Sequence, residues 1–150
     1  MPHAAALVAL LLSAAGHRPP SGPLPRLDLA RLYVSTEGGS RVAPEVETLQ
    51  GHRVRVAGFM VRMEDAPRGA FYLTRAPLEA EEGGGGTGDL PPGTLRIELP
   101  RLAGQEIEWA PGLVEAIGTL EVGRAEDAEG RVSWLRVVVE NAPPPRAPRH

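Results

Sequence analysis

Three kinds of side chain in this sequence could take part in chemistry: histidine, serine and the carboxylates. His52 is the one histidine within the patterned part of the chain, whereas a zinc site needs about four convergent ligands. No serine lies in a G-x-S-x-G turn, and the absence of cysteine excludes disulfides, thiolate ligands and cysteine nucleophiles. We therefore predict no catalytic constellation, no metal site and no cofactor.

Acidic residues cluster in two predicted loops, one beside four consecutive glycines and one in a tight polar turn. The clusters are Glu79, Glu81 and Glu82, and Glu126, Asp127 and Glu129. Neither has the D-x-[DN]-x-[DN]-G-x₅-E spacing of a calcium loop, and no G-K-[ST] follows the glycines, as a phosphate-binding loop requires. We interpret both clusters as solvated charge.

The elements that would position any site begin with a strand-like stretch over residues 53–64. Its apolar residues alternate at Val54, Val56 and Gly58 and then resume one position out of phase at Phe59. Alternation indicates a strand with one buried face, and a glycine at a phase slip favours a β-bulge. We therefore predict one long strand, sharply bent at Gly58.

Four further strand-like runs and two helical segments follow from the same kind of pattern. The strands are predicted over 70–75, 94–99, 113–122 and 131–139, and Gly118 lies at the centre of the fourth, as at a barrel corner. The segment over 28–34 is predicted as either a short helix capped by Asp28 or an extended arm, and a short helical segment begun by Pro44 is predicted over 44–50. Together these elements predict an all-β fold with small α content. The architecture expected is a five-stranded OB-like Greek-key barrel with a short N-terminal helical segment, and a β-sandwich of roughly seven strands is the alternative.

The N-terminus carries an apolar run over residues 4–15. This run is too short to span a bilayer, but it has the length of a signal-peptide core, and Ser13 and Ala15 provide small residues for cleavage. We predict a signal peptide over 1–15, a Pro-rich linker or arm over 16–43, an OB-like β-barrel domain over 44–141 and a disordered tail over 142–150. Signal removal would leave no transmembrane span, and the mature protein would be periplasmic or extracellular.

Three residues are candidates for ligand binding, because OB barrels bind on the face of their second and third strands. Alternation turns Tyr72 outward on the second strand, and Arg55 and Arg96 outward on the first and third. A tyrosine flanked by arginines could stack on and pair with a planar or anionic ligand. The alternative is that these arginines only make the surface soluble.

Nucleic acid is an unlikely partner on charge grounds. The chain has 16 basic and 19 acidic residues, a net charge of -3. There is no basic excess to follow a phosphate backbone, and the acidic loop between the fourth and fifth strands would repel one.

The stretch L-Q-G-H-R-V-R-V-A-G-F-M-V over 49–61 resembles the opening motif of a bacterial family of unknown function, L-x-G-K-x-V-x-I-x-G-[YF]-[MV]-V-P-L. The resemblance continues through F-Y-L at 71–73, the proline pair at 91–92 and V-x-A-x-G-T-L at 114–120. It covers about residues 49–139. His52 replaces the family's lysine, Arg62 replaces its proline, and its Cys-x-His segment is absent. The resemblance implies an exported, small OB-like β-barrel and leaves its biochemical role open.

These observations predict a non-catalytic, exported binding or accessory domain. Its partner would be an unidentified protein or small molecule of the cell envelope. Two alternatives from other classes stay open at this point: a single-stranded nucleic-acid-binding OB domain, and a hydrolase that uses the loop carboxylates.

Overall fold

The computed structural model describes residues 23–78 and 90–140, which contain eight strands and little helix. The predicted signal peptide and the predicted tail lie outside these residues. No helix in the described ranges is long and apolar enough to cross a bilayer. The elements in chain order are β1 (Arg26–Leu27), a 3₁₀ helix (Leu29–Arg31), β2 (Tyr33–Thr36), β3 (Gly39–Val42), α1 (Pro44–Glu47), β4 (Arg53–Met60), β5 (Ala70–Thr74), β6 (Leu95–Glu98), a second 3₁₀ helix (Pro100–Leu102), β7 (Leu113–Glu126) and β8 (Val132–Val138).

Six of the strands form one sheet in the order β1-β4-β5-β6-β8-β7, and β2 and β3 form a separate hairpin. β7 also pairs with β4, so the hydrogen-bonded ladders lead from β4 through β5, β6, β8 and β7 back to β4. β7 can pair with two strands because its first half pairs with β4 and its second half with β8. The β6–β8 and β1–β4 pairs are parallel, and the other pairs of this sheet are antiparallel.

The prediction of a mainly β fold is confirmed, but five strands is too low a count. The five predicted strands correspond to β4–β8, with ends that differ by at most four residues. The additional strands β1, β2 and β3 lie in the segment predicted as a linker or arm. They escaped prediction because β1 has two residues and the β2–β3 hairpin is mostly exposed, so neither carries an alternating apolar pattern.

Both helical segments are present and shorter than predicted. Asp28 caps the first 3₁₀ helix by accepting a 2.9 Å hydrogen bond from the Ala30 N–H, and Leu29 and Leu32 are buried as the helical spacing requires. The segment turns into β2 at Tyr33. α1 begins at Pro44 as expected and ends at Glu47, with a turn following it.

The core is one cluster of buried apolar side chains enclosed by the six-stranded sheet. Phe71 and Leu73 of β5 belong to this core, as alternation predicts, and lie opposite Ile97 and Leu95 of β6. Leu27, Leu29, Leu32 and Ala43 belong to the same cluster, so the core includes residues that precede position 44. Burial of this kind contributes about 25 cal/mol per Å² of apolar surface removed from water.

The predicted bulge at Gly58 is wrong. The β4–β7 register continues without a break from Arg53↔Thr119 to Phe59↔Leu113, and the inward series passes through Gly58 to Met60. Phe59 lies half-buried on the outer face instead. The alternation breaks two residues later, where Met60 and Val61 are both buried.

Gly58 and Gly118 both lie where atoms of neighbouring segments approach closely. A Cβ on Gly58 would lie 2.7 Å from Leu29 Cδ1 and 2.8 Å from the Thr74 carbonyl oxygen. A Cβ on Gly118 would lie 2.3 Å from the Val138 carbonyl oxygen. Neither glycine has a positive φ, so the constraint is steric. Close packing at Gly58 replaces the bulge expected there, and the corner expected at Gly118 stays a prediction.

Candidate ligand-binding cleft

Strand register places four polar side chains in a row across the outer face of the sheet. Tyr72 of β5 is opposite Arg96 of β6, Arg96 is opposite Arg136 of β8, and Arg136 is opposite Glu121 of β7. Residues opposite each other on one face are close enough to interact. The row is therefore a direct product of pairing order, which no single strand reveals.

Arg96 is the centre of this row and is almost fully buried, with 7% of its side chain exposed. Its Nη1 donates hydrogen bonds of 3.1 Å to Tyr72 Oη and to Asp127 Oδ2, and its Nε donates one of 3.1 Å to Glu98 Oε1. The guanidinium also lies over the Tyr72 ring, 5.8 Å from its centroid. Burial by itself lowers the pKa of Arg96, but interactions with Tyr72 and Glu98 raise it by more than burial lowers it. The net shift of the pKa is upward, so the guanidinium stays positively charged.

Arg136, the neighbouring arginine, is also held by the protein itself. Its Nε donates to Glu121 Oε2 at 3.3 Å, and its Nη1 donates to the Gly123 carbonyl at 2.9 Å and to Ser133 Oγ at 3.2 Å. Buried cations require such partners, because an unpaired one is costly to desolvate. Neither arginine of the row is left to neutralise an anionic ligand.

Asp127 joins the turn between β7 and β8 to this row. One carboxylate oxygen accepts from the backbone N–H groups of Glu129 and Arg131 at 2.9 and 2.8 Å, and the other accepts from Arg96. Glu129 forms an ion pair with Arg131, whose Nη2 also donates to the Asp65 carbonyl at 2.9 Å. The interpretation as solvated charge is therefore wrong for Asp127, whose side chain is largely buried.

The remaining loop carboxylates separate into two groups. Glu126 is half-exposed and lies 3.2 Å from Arg124, a surface pair. Glu79, Glu81 and Glu82 lie outside the described residues.

A cleft of about 330 Å³ lies over Tyr72 and Arg96, and we call it the Trp134 cleft. Its most exposed aromatic side chain is Trp134, which is 53% exposed and lies on β8 two residues before Arg136, hence on the same face. The other residues that line it come from the β2–β3 hairpin, the segment before β6, and β8. The principal ones are Tyr33, Ser40, Pro91, Pro92, Thr94 and Ser133. Burial in this region raises the pKa of Tyr33.

A bulge on β7 lies opposite Trp134. The register passes from Val122↔Leu135 to Ala125↔Ser133, so two β7 residues face Trp134 alone. In the sequence the apolar alternation changes phase between Trp134 and Leu135, because Trp134 is an apolar residue on the outer face while Leu135 belongs to the core.

A larger groove of about 500 Å³ runs beside the first half of β7. Its apolar walls are chiefly inward-facing core side chains such as Phe71, Ile97 and Leu99. It contains no half-exposed aromatic residue, so the Trp134 cleft is the better candidate for recognition.

The structure brings together two of the three predicted ligand residues. Tyr72 and Arg96 are in contact in the floor of the Trp134 cleft, whereas Arg55 lies on the β4–β7 pair, 3.7 Å from Glu115. Sequence reasoning missed Trp134 and Tyr33. The available signal for Trp134 was an aromatic residue at the point where the apolar alternation of the last strand changes phase. The strands of the β2–β3 hairpin are mostly exposed, so no comparable signal pointed to Tyr33.

The carboxylates nearest the cleft are engaged in ion pairs and hydrogen bonds. Glu98 and Asp127 are engaged by Arg96, which leaves neither in the free state that a general base needs. Within residues 23–78 and 90–140, no group of three His, Asp or Glu side chains converges as a metal site would require.

Comparison with known proteins yields one structural neighbour. No protein-family model matches the sequence, and no curated protein matches it. The chain is similar to a solved structure of a DUF3299 family protein from Pseudomonas aeruginosa PAO1, with 13% identity and a TM-score of 0.47. The match covers 86% of this chain and 100% of that one. The neighbour belongs to a bacterial family of unknown function, in keeping with that part of the sequence resemblance, and at this TM-score it carries no argument about barrel type or activity.

Proposed function

We propose that this chain is an exported, non-catalytic binding domain that holds a protein or small-molecule partner of the cell envelope in the Trp134 cleft. The scaffold would be a five-stranded OB-like Greek-key barrel. This proposal is supported by the ladders that lead from β4 through β5, β6, β8 and β7 back to β4, and by the crossed connection that inserts β8 between β6 and β7. β1 and the β2–β3 hairpin would be additions to that barrel.

The observation that carries the binding role is a half-exposed tryptophan in a concave, otherwise self-satisfied site. Exposing a large aromatic side chain in a cleft has a hydrophobic cost, and such residues commonly supply much of the affinity where partners bind. Beneath it, Arg96 and Arg136 already have their ion-pair partners. The cleft therefore offers ring surface and hydroxyl groups to a partner, and it offers no unpaired arginine from this row to a phosphate.

The same geometry argues against the two alternative functions. Single-strand binding proteins track a phosphate backbone with free cations, whereas the cations at this site are neutralised by Glu98, Asp127 and Glu121. For a hydrolase, Asp127 is committed to its turn and to Arg96, and Glu126 lies beside Arg124 on the surface.

Binding in the Trp134 cleft can be tested by intrinsic fluorescence, because the chain has two tryptophans. Trp109→Phe leaves Trp134 as the reporter. Titration with neutral oligosaccharides, proline-rich peptides and single-stranded oligonucleotides should quench or shift this signal for one of the first two classes. Trp134→Ala should abolish the ligand-induced rise in melting temperature, while Leu113→Ala, at a more exposed apolar position on β7, should retain it. No ligand-dependent change with any probe, or equal binding by Trp134→Ala, would refute the role.

Export is tested separately. Mass spectrometry of the protein isolated from its source cells should give a mature N-terminus near Gly16 in the periplasmic or extracellular fraction. A cytoplasmic protein that retains residues 1–15 would contradict export without touching the binding site.

A further inference from the structure

The walls of the Trp134 cleft and the charge around it together suit one kind of occupant. Resting on the proposed binding role, we infer that the cleft takes an extended, proline-rich peptide segment with interspersed arginines, supplied by a partner polypeptide. Two independent observations lead to this inference: the ring surfaces that line the cleft and the sign of the local charge.

The ring surfaces match a polyproline II helix. Trp134 of β8, Tyr33 of β2, and Pro91 and Pro92 of the segment before β6 all line the cleft. Proline-rich segments dock in aromatic-lined grooves because they are already extended and lose little conformational entropy on binding. Such a segment also lacks many backbone N–H donors, so it requires few acceptors from the cleft.

The local charge is negative in spite of the arginines. Two arginines at the cleft and the adjoining turn contact four carboxylates, leaving two negative charges in excess. The groups are Arg96, Arg131, Glu98, Asp127, Glu129 and Asp65. An excess of this sign attracts a cationic partner and disfavours an anionic one. Arginine is suited to the task because its guanidinium can pair with the more exposed of these carboxylates, Glu129 and Asp65, while prolines fill the cleft.

The chain itself contains a sequence of this composition, which provides a defined probe. Residues 141–150 read N-A-P-P-P-R-A-P-R-H, with four prolines and two arginines. A synthetic peptide of this sequence tests the chemistry of the occupant whether the natural partner is a second copy of the chain or another protein.

The experiment measures binding of this peptide to the full mature chain by Trp134 fluorescence in the Trp109→Phe variant. We expect saturable binding that weakens at least tenfold when the four prolines of the peptide are replaced by alanine. We expect a similar loss when its arginines are replaced by glutamate, together with weaker binding at high salt. By isothermal calorimetry, Trp134→Ala should lose at least tenfold in affinity, and Leu113→Ala should be unchanged.

Other outcomes separate this inference from the proposed function. Cellopentaose that binds with Trp134→Ala sensitivity, when the peptide does not bind, would overturn the inference and leave the binding role standing. Failure of both probes would overturn the inference, and failure of every class of probe would remove the binding role as well. Peptide binding that is indifferent to its arginines would overturn the charge argument. Concentration-dependent dimerisation of the wild type, abolished by Trp134→Ala, would support the inference with a second copy as the partner.

Discussion

Gly118→Ala gives a sharp test of how this sheet is packed. The β7–β8 ladder begins at the next residue, Thr119. An added Cβ on Gly118 would lie 2.3 Å from the Val138 carbonyl oxygen, 2.8 Å from the Val138 carbonyl carbon and 3.0 Å from Val137 Cγ1. The first two atoms are backbone, so relief requires β8 to move away from β7. The neighbouring ladder pair Thr119↔Val138 would be weakened by that movement.

The magnitude follows from three terms. Overpacking a well-packed site costs about 1–3 kcal/mol. Loss of one ladder hydrogen bond adds about 1 kcal/mol. Alanine restricts the unfolded chain and returns about 0.4–1 kcal/mol, a gain that applies because Gly118 has no positive φ. The net expectation is a loss of about 2 kcal/mol in the free energy of unfolding.

The assay is thermal and urea unfolding of wild type and variant, followed by circular dichroism. A loss of this size lowers the melting temperature of a 150-residue chain by about 4–8 °C. Gly38→Ala is the matched control, since its nearest atom is Thr36 Oγ1 at 3.9 Å and its φ is not positive. The control should melt at or slightly above the wild-type temperature. If Gly118→Ala also melts within a degree of wild type, the close approach of β7 and β8 is incorrect.

Three further predictions follow from other contacts. Gly58→Ala should lower the free energy of unfolding by about 1–3 kcal/mol, because its Cβ would meet Leu29. Leu29→Ala should relieve part of that cost, so the double variant should lose less free energy of unfolding than the sum of the two single variants. Losses that simply add would contradict the contact between these two positions. Asp127→Ala should cost about 2 kcal/mol by urea unfolding, because it removes charged hydrogen bonds to two backbone N–H groups and a buried arginine, whereas Glu126→Ala should cost less than about 0.5 kcal/mol. Since burial raises the pKa of Tyr33, its phenol should ionise at a higher pH than that of an ordinary tyrosine. The stability that Tyr33 contributes should therefore be complete below about pH 10 and be lost as the pH rises above it. Tyr33→Phe should reduce this alkaline loss of stability, and an unchanged alkaline unfolding profile would contradict the prediction.

The regular part of the fold could be predicted because alternation is a local property of the chain. β4 and the first half of β7 alternate between buried and more exposed residues, and a two-residue period shows this directly in the sequence. β5 is buried throughout and β6 almost throughout, so their prediction depended on their apolar content as well. The Gly58 bulge was a wrong inference from the same signal, since Phe59 is large and apolar yet lies half-buried on the outer face. A residue that is partly covered on the outside looks, in sequence, like one that points inside. The β2–β3 hairpin had the opposite problem, because its mostly exposed strands have no buried face to report.

The candidate site could be predicted only in part, because it depends on which strands are neighbours. Tyr72 and Arg96 were identified from their outward positions, and the pairing of β5 with β6 brings them together. Arg55 met the same local criterion and lies elsewhere, beside Glu115. Asp127 looked like loop charge because nothing in the sequence shows that its turn folds back onto β6. Local pattern therefore found residues of the right kind, and long-range pairing decided which of them meet.

The two-sided pairing of β7 has a consequence for how the chain folds. Phe59 and Leu113 are 54 residues apart in sequence, and Arg53 and Thr119 are 66 apart, yet each pair is adjacent in the β4–β7 ladder. Sheets held by contacts this distant fold on the order of milliseconds to seconds, since a long loop must close before any such contact forms. Until β7 arrives, one edge of β4 is uncovered and its apolar face is available to other chains. Newly made protein should thus be most prone to aggregation before the second half of the chain has joined the first.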